Sequence, residues 1–171
     1  MILTGSEIEK RVRAGDIIIS PFSISDVNPN SYNYHLDKTY IEISSDAAID
    51  SKNPVRDLTT KIIPEEGLVL NPESFYLCNT MEKIGSQKYV TSLIGKSSMG
   101  RLGIYLQISA NLGHQNEVHK WTLEIRCIKP VRIYPGMIIG QVTFWNVIGA
   151  RIPSNGYYTH FDLPTLSRGL I

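Results

Sequence analysis

The sequence predicts an all-β fold, a sandwich, jelly roll or barrel, with one short helix at its N-terminal end. Three observations lead there. Short apolar, β-branched and aromatic runs recur along the chain, broken at close intervals by Gly, Pro, Asn and Asp. Several of these runs alternate apolar and polar residues with period two. Only the segment from Thr4 to Gly15 carries the spacing of an amphipathic helix.

The elements follow in order. Thr4 and Glu7 form a capping-box pattern, Ile8 and Val12 share one helical face, and Gly15 supplies a stop. Ile17 to Ser20 reads as a short strand ending at Pro21, and Asn28-Pro29-Asn30 as a turn. From Ser31, Tyr32, Tyr34 and Leu36 alternate with Asn33 and His35, and the strand continues through Tyr40 to Ile43. Ser44 to Pro64 is polar and reads as a loop or excursion. Further strands are expected at Leu68 to Leu70, Phe75 to Thr80, Tyr89 to Ile94, Ile104 to Ala110, Trp121 to Ile128 and Met137 to Val147. Tyr134-Pro135-Gly136 carries the Pro-Gly pair of a type II turn. The tail from Arg151, with Tyr157, Tyr158, His160 and Phe161, lacks periodicity and is expected to fold over a neighbouring surface.

Composition bounds the function. The 171 residues suffice for a single domain, 1–171, with a real core, and a hydrophobic content of 42% fits a globular chain. The net charge of +1 offers no electrostatic footprint for a nucleic-acid polymer, so a compact anion held by a few local cations fits better. No apolar run approaches a membrane span, and Met1 to Thr4 lacks the basic and apolar regions of a secretory signal. Cys78 and Cys127 lie in apolar runs and read as reduced, buried residues of a cytoplasmic protein. The four histidines and two cysteines lack the spacing of a zinc site.

Two segments carry chemistry. Ile94 to Gly103 packs Lys96, Arg101, Ser97 and Ser98 among three glycines. A helical turn there would aim amides and hydroxyls at one phosphate, with Arg101 forking onto two oxygens and Lys96 adding a point charge. The same residues also suit a solvated turn between strands. The second segment is Trp121 to Ile128, where Thr122, Glu124 and Arg126 share one face and Leu123, Ile125 and Cys127 the other. Glu124 reads either as a residue on the wet face of a strand or as a general acid/base in a partly desolvated pocket with a raised pKa.

At these two places the chain resembles the dCTP deaminase branch of the dCTP deaminase/dUTPase family. Gly95-Lys96-Ser97-Ser98-Met99-Gly100-Arg101-Leu102-Gly103 is similar to the family's G-R-S-S-x-x-R-x-G. Leu123-Glu124 matches its strand Leu-Glu pair, without a gap from Arg101. Tyr134 to Gln141 resembles R-P-G-M-x-I-x-Q, Asn30 to Leu36 resembles P-A-S-Y-D-L-R-L, and Pro164 to Arg168 resembles P-T-x-S-R. The motifs stand in the family's order over most of the chain.

The resemblance implies a β-clip or jelly-roll-like fold shared with dUTPases, and a homotrimer with active sites between subunits. It implies hydrolytic deamination of dCTP to dUTP and ammonia, for dUTP and dTTP biosynthesis, without zinc. Glu124 would activate the water, Ser97 would orient it or the developing oxyanion, and Arg101 would lie near the reacting site. Lys96 and Ser98 would hold phosphate, and the backbone of Ser109 and Ala110 would line the base pocket. Gln141 and Tyr158 fall in motifs that contact the nucleotide. Mg²⁺ would bind through the triphosphate, with no metal site on the protein.

Departures leave alternatives open. The family's A-G-x-I-D-P-G-F-x-G is replaced by the loop Ala110 to Lys120, so its aspartate becomes His114 and its Pro-Gly becomes Gln115-Asn116. A family histidine appears as Gln107, the motif aspartate as Asn33, and the tail lysine and glutamine are missing. His119 is read as a surface loop residue. Loss of the aspartate argues against pyrophosphate cleavage, yet dUTP diphosphatase activity, alone or combined with deamination, stays an alternative. A non-catalytic nucleotide-binding module is another.

Overall fold

The computed structural model describes residues 1–44, 48–54, 58–106, 109–150, 152–153, 158 and 161–169. A helix, α1 (Gly5–Arg13), precedes strands β1 (Ile17–Ser20), β2 (Val27–Asn28), β3 (Ser31–Ser44), β4 (Lys61–Ile62), β5 (Leu68–Leu70), β6 (Ser74–Ser86) and β7 (Val90–Gly95). A one-turn helix, α2 (Ser97–Arg101), leads to β8 (Ile104–Leu106), β9 (Glu117–Cys127), β10 (Val131–Ile133) and β11 (Ile138–Trp145). The all-β fold with one short N-terminal helix, expected from the sequence, is the fold observed.

The main sheet runs β7-β11-β3-β6-β9-β8 through antiparallel pairs, with β5 and β10 forming a separate ribbon. The sheet curls until its ends approach. Leu93 N donates to Asn111 O and Gly113 N to Thr91 O, so the chain after β8 lies along the outer edge of β7. This near-closure satisfies edge groups that would otherwise be exposed. Strand β6 is the pivot. Its first half pairs with β3 and its second half with β1, while β9 follows it along both, with a bulge between Asn79 and Lys83.

The interior is filled by alternate residues of these strands. Tyr32, Tyr34 and Leu36 of β3 meet Tyr76 and Cys78 of β6, Leu123 and Ile125 of β9, and Val142 and Phe144 of β11. Each fully buried Leu or Ile contributes roughly 2 kcal/mol. Both cysteines are free and buried, as read from sequence, and burial pushes the Cys78 thiol up to about 12. Glu82, 1% exposed, is satisfied by the His35 backbone amide at 3.0 Å and by His35 Nδ1 at 2.5 Å. A buried carboxylate is tolerated only with such partners.

Several boundaries differ from expectation. Thr4 precedes α1 without capping it, because its hydroxyl meets Ser6 and Glu7 turns along the helix to Arg11 at 2.6 Å. The Ser44 to Pro64 excursion contains β4, paired with Thr39 and Tyr40. Strand β6 extends to Ser86 because its second half pairs with β1 on one side and β9 on the other, with buried Glu82 and Ile84 alternating with partly buried Met81 and exposed Lys83. The short strand β10 was not expected, and of the strand expected over Ile104 to Ala110 the described part is β8 (Ile104–Leu106), with Ser109 and Ala110 in a turn. Strand β9 begins at Glu117, so His119 is not a loop residue. Its ring is 8% exposed and stacks on Trp121 with centroids 4.7 Å apart.

Among the described residues no helix is long and apolar enough to cross a membrane. The tail does return to the body. Lys83 Nζ donates to Asp162 at 2.6 Å, Pro164 is buried, and Gly169 lies against Pro54.

Candidate active site

Two groups of predicted residues take shape, each built by strand register. The first centres on Glu124. Within β9 the burial alternates as expected, with Leu123 and Ile125 in the core and Glu124 half-buried on the opposite face. Its Oε2 accepts two hydrogen bonds from Ser109, the backbone amide at 2.8 Å and the hydroxyl at 2.9 Å. Ser109 and Ala110 form an exposed turn leaving β8, so the near-closure of the sheet carries this turn to the carboxylate. Oε1 has no protein partner among the described residues. A carboxylate held at one oxygen with the other open can take a proton from a bound water.

On the same face, Leu77 of β6 lies opposite Glu124 and Asn79 opposite Thr122. Asn79 is completely buried and neither amide atom has a hydrogen-bond partner. Sequence reasoning passed over it. The available signal was an amide inside the apolar run Leu77-Cys78-Asn79.

The second group lies where β7, β11 and β3 run side by side. Gln141 of β11 is flanked by Ile94 of β7 and Asn33 of β3. Lys96 follows two positions beyond Ile94. Asn33 Oδ1 accepts from Asn28 Nδ2 at 2.9 Å, Gln141 Nε2 at 3.2 Å and Lys96 Nζ at 3.3 Å. Gly140 makes this crossing possible. A Cβ there would stand 2.1 Å from the Tyr34 hydroxyl, which passes beneath β11 to donate to Ile94 O at 3.1 Å. The pair Lys96 and Gln141 was named from sequence. The amide that gathers them was noted only as a departure from a motif.

The helical turn expected after Lys96 is present as α2, and Ser97, Ser98 and Arg101 are all exposed on it. Among the described residues no hydrogen bond or ion pair joins these three side chains to Glu124. Tyr158 is exposed, and its hydroxyl accepts the Arg168 amide at 3.0 Å within the tail. Gln107, Tyr157 and His160 lie outside the described residues. His114 is exposed, whereas Gln115 ties its loop to Lys88 O at 2.7 Å and Asn116 takes the left-handed backbone at φ 68°. A surface hollow of about 520 Å³ lined by Pro72, Tyr105, Arg126, Cys127 and Ile128 holds none of the predicted site residues.

The structure thus holds a half-buried strand carboxylate, an exposed serine-rich turn and a lysine-glutamine pair gathered by Asn33. The sequence profile of dCTP deaminase-like proteins matches residues 2–147. The chain belongs to the dCTP deaminase-like family. Among its dCTP deaminase-like relatives, a protein of Clostridium botulinum named dCTP deaminase, dUMP-forming, is 44% identical over 149 residues, covering 87% of this chain and 84% of the relative. A dCTP deaminase of Rhodopirellula baltica is 45% identical over 152 residues, covering 87% of this chain and 74% of the relative. The fold is similar to a crystal structure of 2'-deoxycytidine 5'-triphosphate deaminase from Agrobacterium tumefaciens, with a TM-score of 0.65 and 19% identity. That likeness covers 84% of this chain and spans 47% of the solved one, about half its length.

Proposed function

We propose that this protein deaminates dCTP hydrolytically to dUTP and ammonia, without zinc, in deoxynucleotide metabolism. The observation that carries the reading is the Glu124 carboxylate, fixed at Oε2 by both donors of Ser109 in a chain of this family. Oε1 takes a proton from water, the hydroxide forms a bond to C4 of cytosine, and the C4=N3 electron pair takes up that proton at N3. The proton of the new C4 hydroxyl then passes by way of Oε1 to the amino group, the C4–N bond to that group breaks as the C4 carbonyl forms, and ammonia leaves. Ser97 orients the water or the oxyanion, Arg101 lies beside it, and the Ser109-Ala110 backbone lines the base.

Lys96, Ser98, Gln141 and Tyr158 hold the nucleotide. The groups gathered around Asn33 are donors, and its carbonyl oxygen is already engaged. They suit phosphate oxygens, so Mg²⁺ enters as the counter-ion of the substrate's triphosphate. Because α2 makes no polar contact with Glu124 in its own chain, the reading includes a homotrimer in which one subunit's turn completes the next subunit's site.

A second reading is favoured by one observation: several relatives are named dUMP-forming. In that reading the same protein also hydrolyses the α–β phosphoanhydride, giving dUMP and pyrophosphate. Incubation with dCTP, with ammonia assayed and nucleotides separated by chromatography, distinguishes the two by dUTP against dUMP. Glu124→Gln should lower the rate by about 10²–10⁴-fold. Absence of ammonia from every cytosine nucleotide would refute deamination and leave a nucleotide-binding module, whereas full rate in Glu124→Gln would refute Glu124 as the base.

A further inference from the structure

We infer that Asn33 is a positioning residue that keeps the Lys96 ammonium available to the substrate's phosphates. The inference rests on the dCTP reading above. Asn33 is 6% exposed, and its single amide oxygen receives donors from three separate segments. An amide oxygen has two lone pairs, so three donors oversubscribe it. The bond from Asn28, at 2.9 Å, is the short one. Those from Gln141 and Lys96, at 3.2 and 3.3 Å, are long. Asn28 therefore anchors the amide, while Lys96 and Gln141 are gathered without being saturated.

The described residues show no carboxylate within ion-pair distance of Lys96. A neutral acceptor orients the ammonium and leaves its charge uncompensated. A carboxylate at position 33 would hold the same geometry but pair with Lys96, so an arriving phosphate would have to displace an internal anion. The strand register fixes all of this without help from a loop, because Asn33, Gln141 and Ile94 are direct neighbours across three strands.

The test compares Asn33→Asp and Asn33→Ser with wild type, using inorganic triphosphate in calorimetric titrations and dCTP in steady-state kinetics. Asn33→Asp should weaken triphosphate binding and raise KM for dCTP by about five- to tenfold, with kcat within about twofold. The rise should vanish for deoxycytidine, which has no phosphate. Asn33→Ser keeps a neutral acceptor and should bind triphosphate within about threefold of wild type. Triphosphate that fails to bind wild type, equal binding to wild type and Asn33→Asp, or an equal loss in both variants would overturn the inference. Wild type that binds triphosphate but releases no ammonia would strike the deaminase reading instead, and the titration would still decide the role of Asn33. Should Asn33→Asp fail to fold, the salt dependence of triphosphate binding decides: it should be the same in wild type and Asn33→Ser and steeper than in Lys96→Met, and a slope unchanged by Lys96→Met would overturn the inference.

Discussion

Ser109→Ala isolates one of the two bonds that hold Glu124. The hydroxyl donates at 2.9 Å and the backbone amide at 2.8 Å to the same Oε2. Alanine deletes the first and keeps the second. A hydrogen bond to a charged group contributes about 1.5–3 kcal/mol. Ser109 is exposed and Glu124 half-buried, so solvent screening places the loss at the low end, about 1.5 kcal/mol. That corresponds to roughly a tenfold lower kcat, well short of the loss expected for Glu124→Gln. The assay is ammonia release at saturating dCTP. KM should stay within about twofold, because the backbone proposed to line the base is unchanged. Thermal stability should be unaffected, since position 109 lies on an exposed turn. In a Glu124→Gln background the serine substitution should cost little more, because both act on one proton transfer. A Ser109→Ala enzyme with wild-type kcat would refute the view that this serine orients the base, and an additive loss in the double variant would show that it acts elsewhere.

Gly140→Ala would drive a methyl to within 2.1 Å of the Tyr34 hydroxyl, so β11 or the buried ring must shift. Overpacking of this kind costs about 1–3 kcal/mol, and the melting temperature should fall by several degrees in a thermal scan. Because Gln141 is the next residue, KM for dCTP should rise with it. The Cys78 thiol, raised to about 12 by burial, stays protonated in the folded state while the unfolded thiol ionises near 9.0. Its contribution to stability is therefore complete below that unfolded value and is lost as pH climbs toward about 12. A thiol-specific reagent at pH 8 should leave Cys78 unmodified until denaturant is added, and modification of the native protein would contradict its burial.

Much of the local structure was legible in the residues themselves. Alternation of Tyr32, Tyr34 and Leu36 marked β3, Pro135-Gly136 marked a turn in which Gly136 does take φ 75°, and the opposite faces of β9 were read correctly around Glu124. These signals are local, since sterics and side-chain direction act within a few residues. The same applies to the motifs, which place Lys96, Gln141 and Glu124 by their neighbours in sequence.

What lay beyond the sequence depended on pairing between distant strands. His119 looks like part of a polar loop until β6 pairs with it and Trp121 stacks on its ring. The second half of β6 hides its alternation because a carboxylate, Glu82, takes a buried position between partly buried Met81 and exposed Lys83. Asn33 meets Lys96 across 63 residues and Gln141 across 108, and no periodicity encodes a contact of that range. The sequence by itself determined the fold class, the family and the chemical character of the candidate groups. Tertiary structure alone decided which of them meet, because hydrogen-bond register and near-closure of the sheet bring Ser109 to Glu124 and three donors to one amide oxygen.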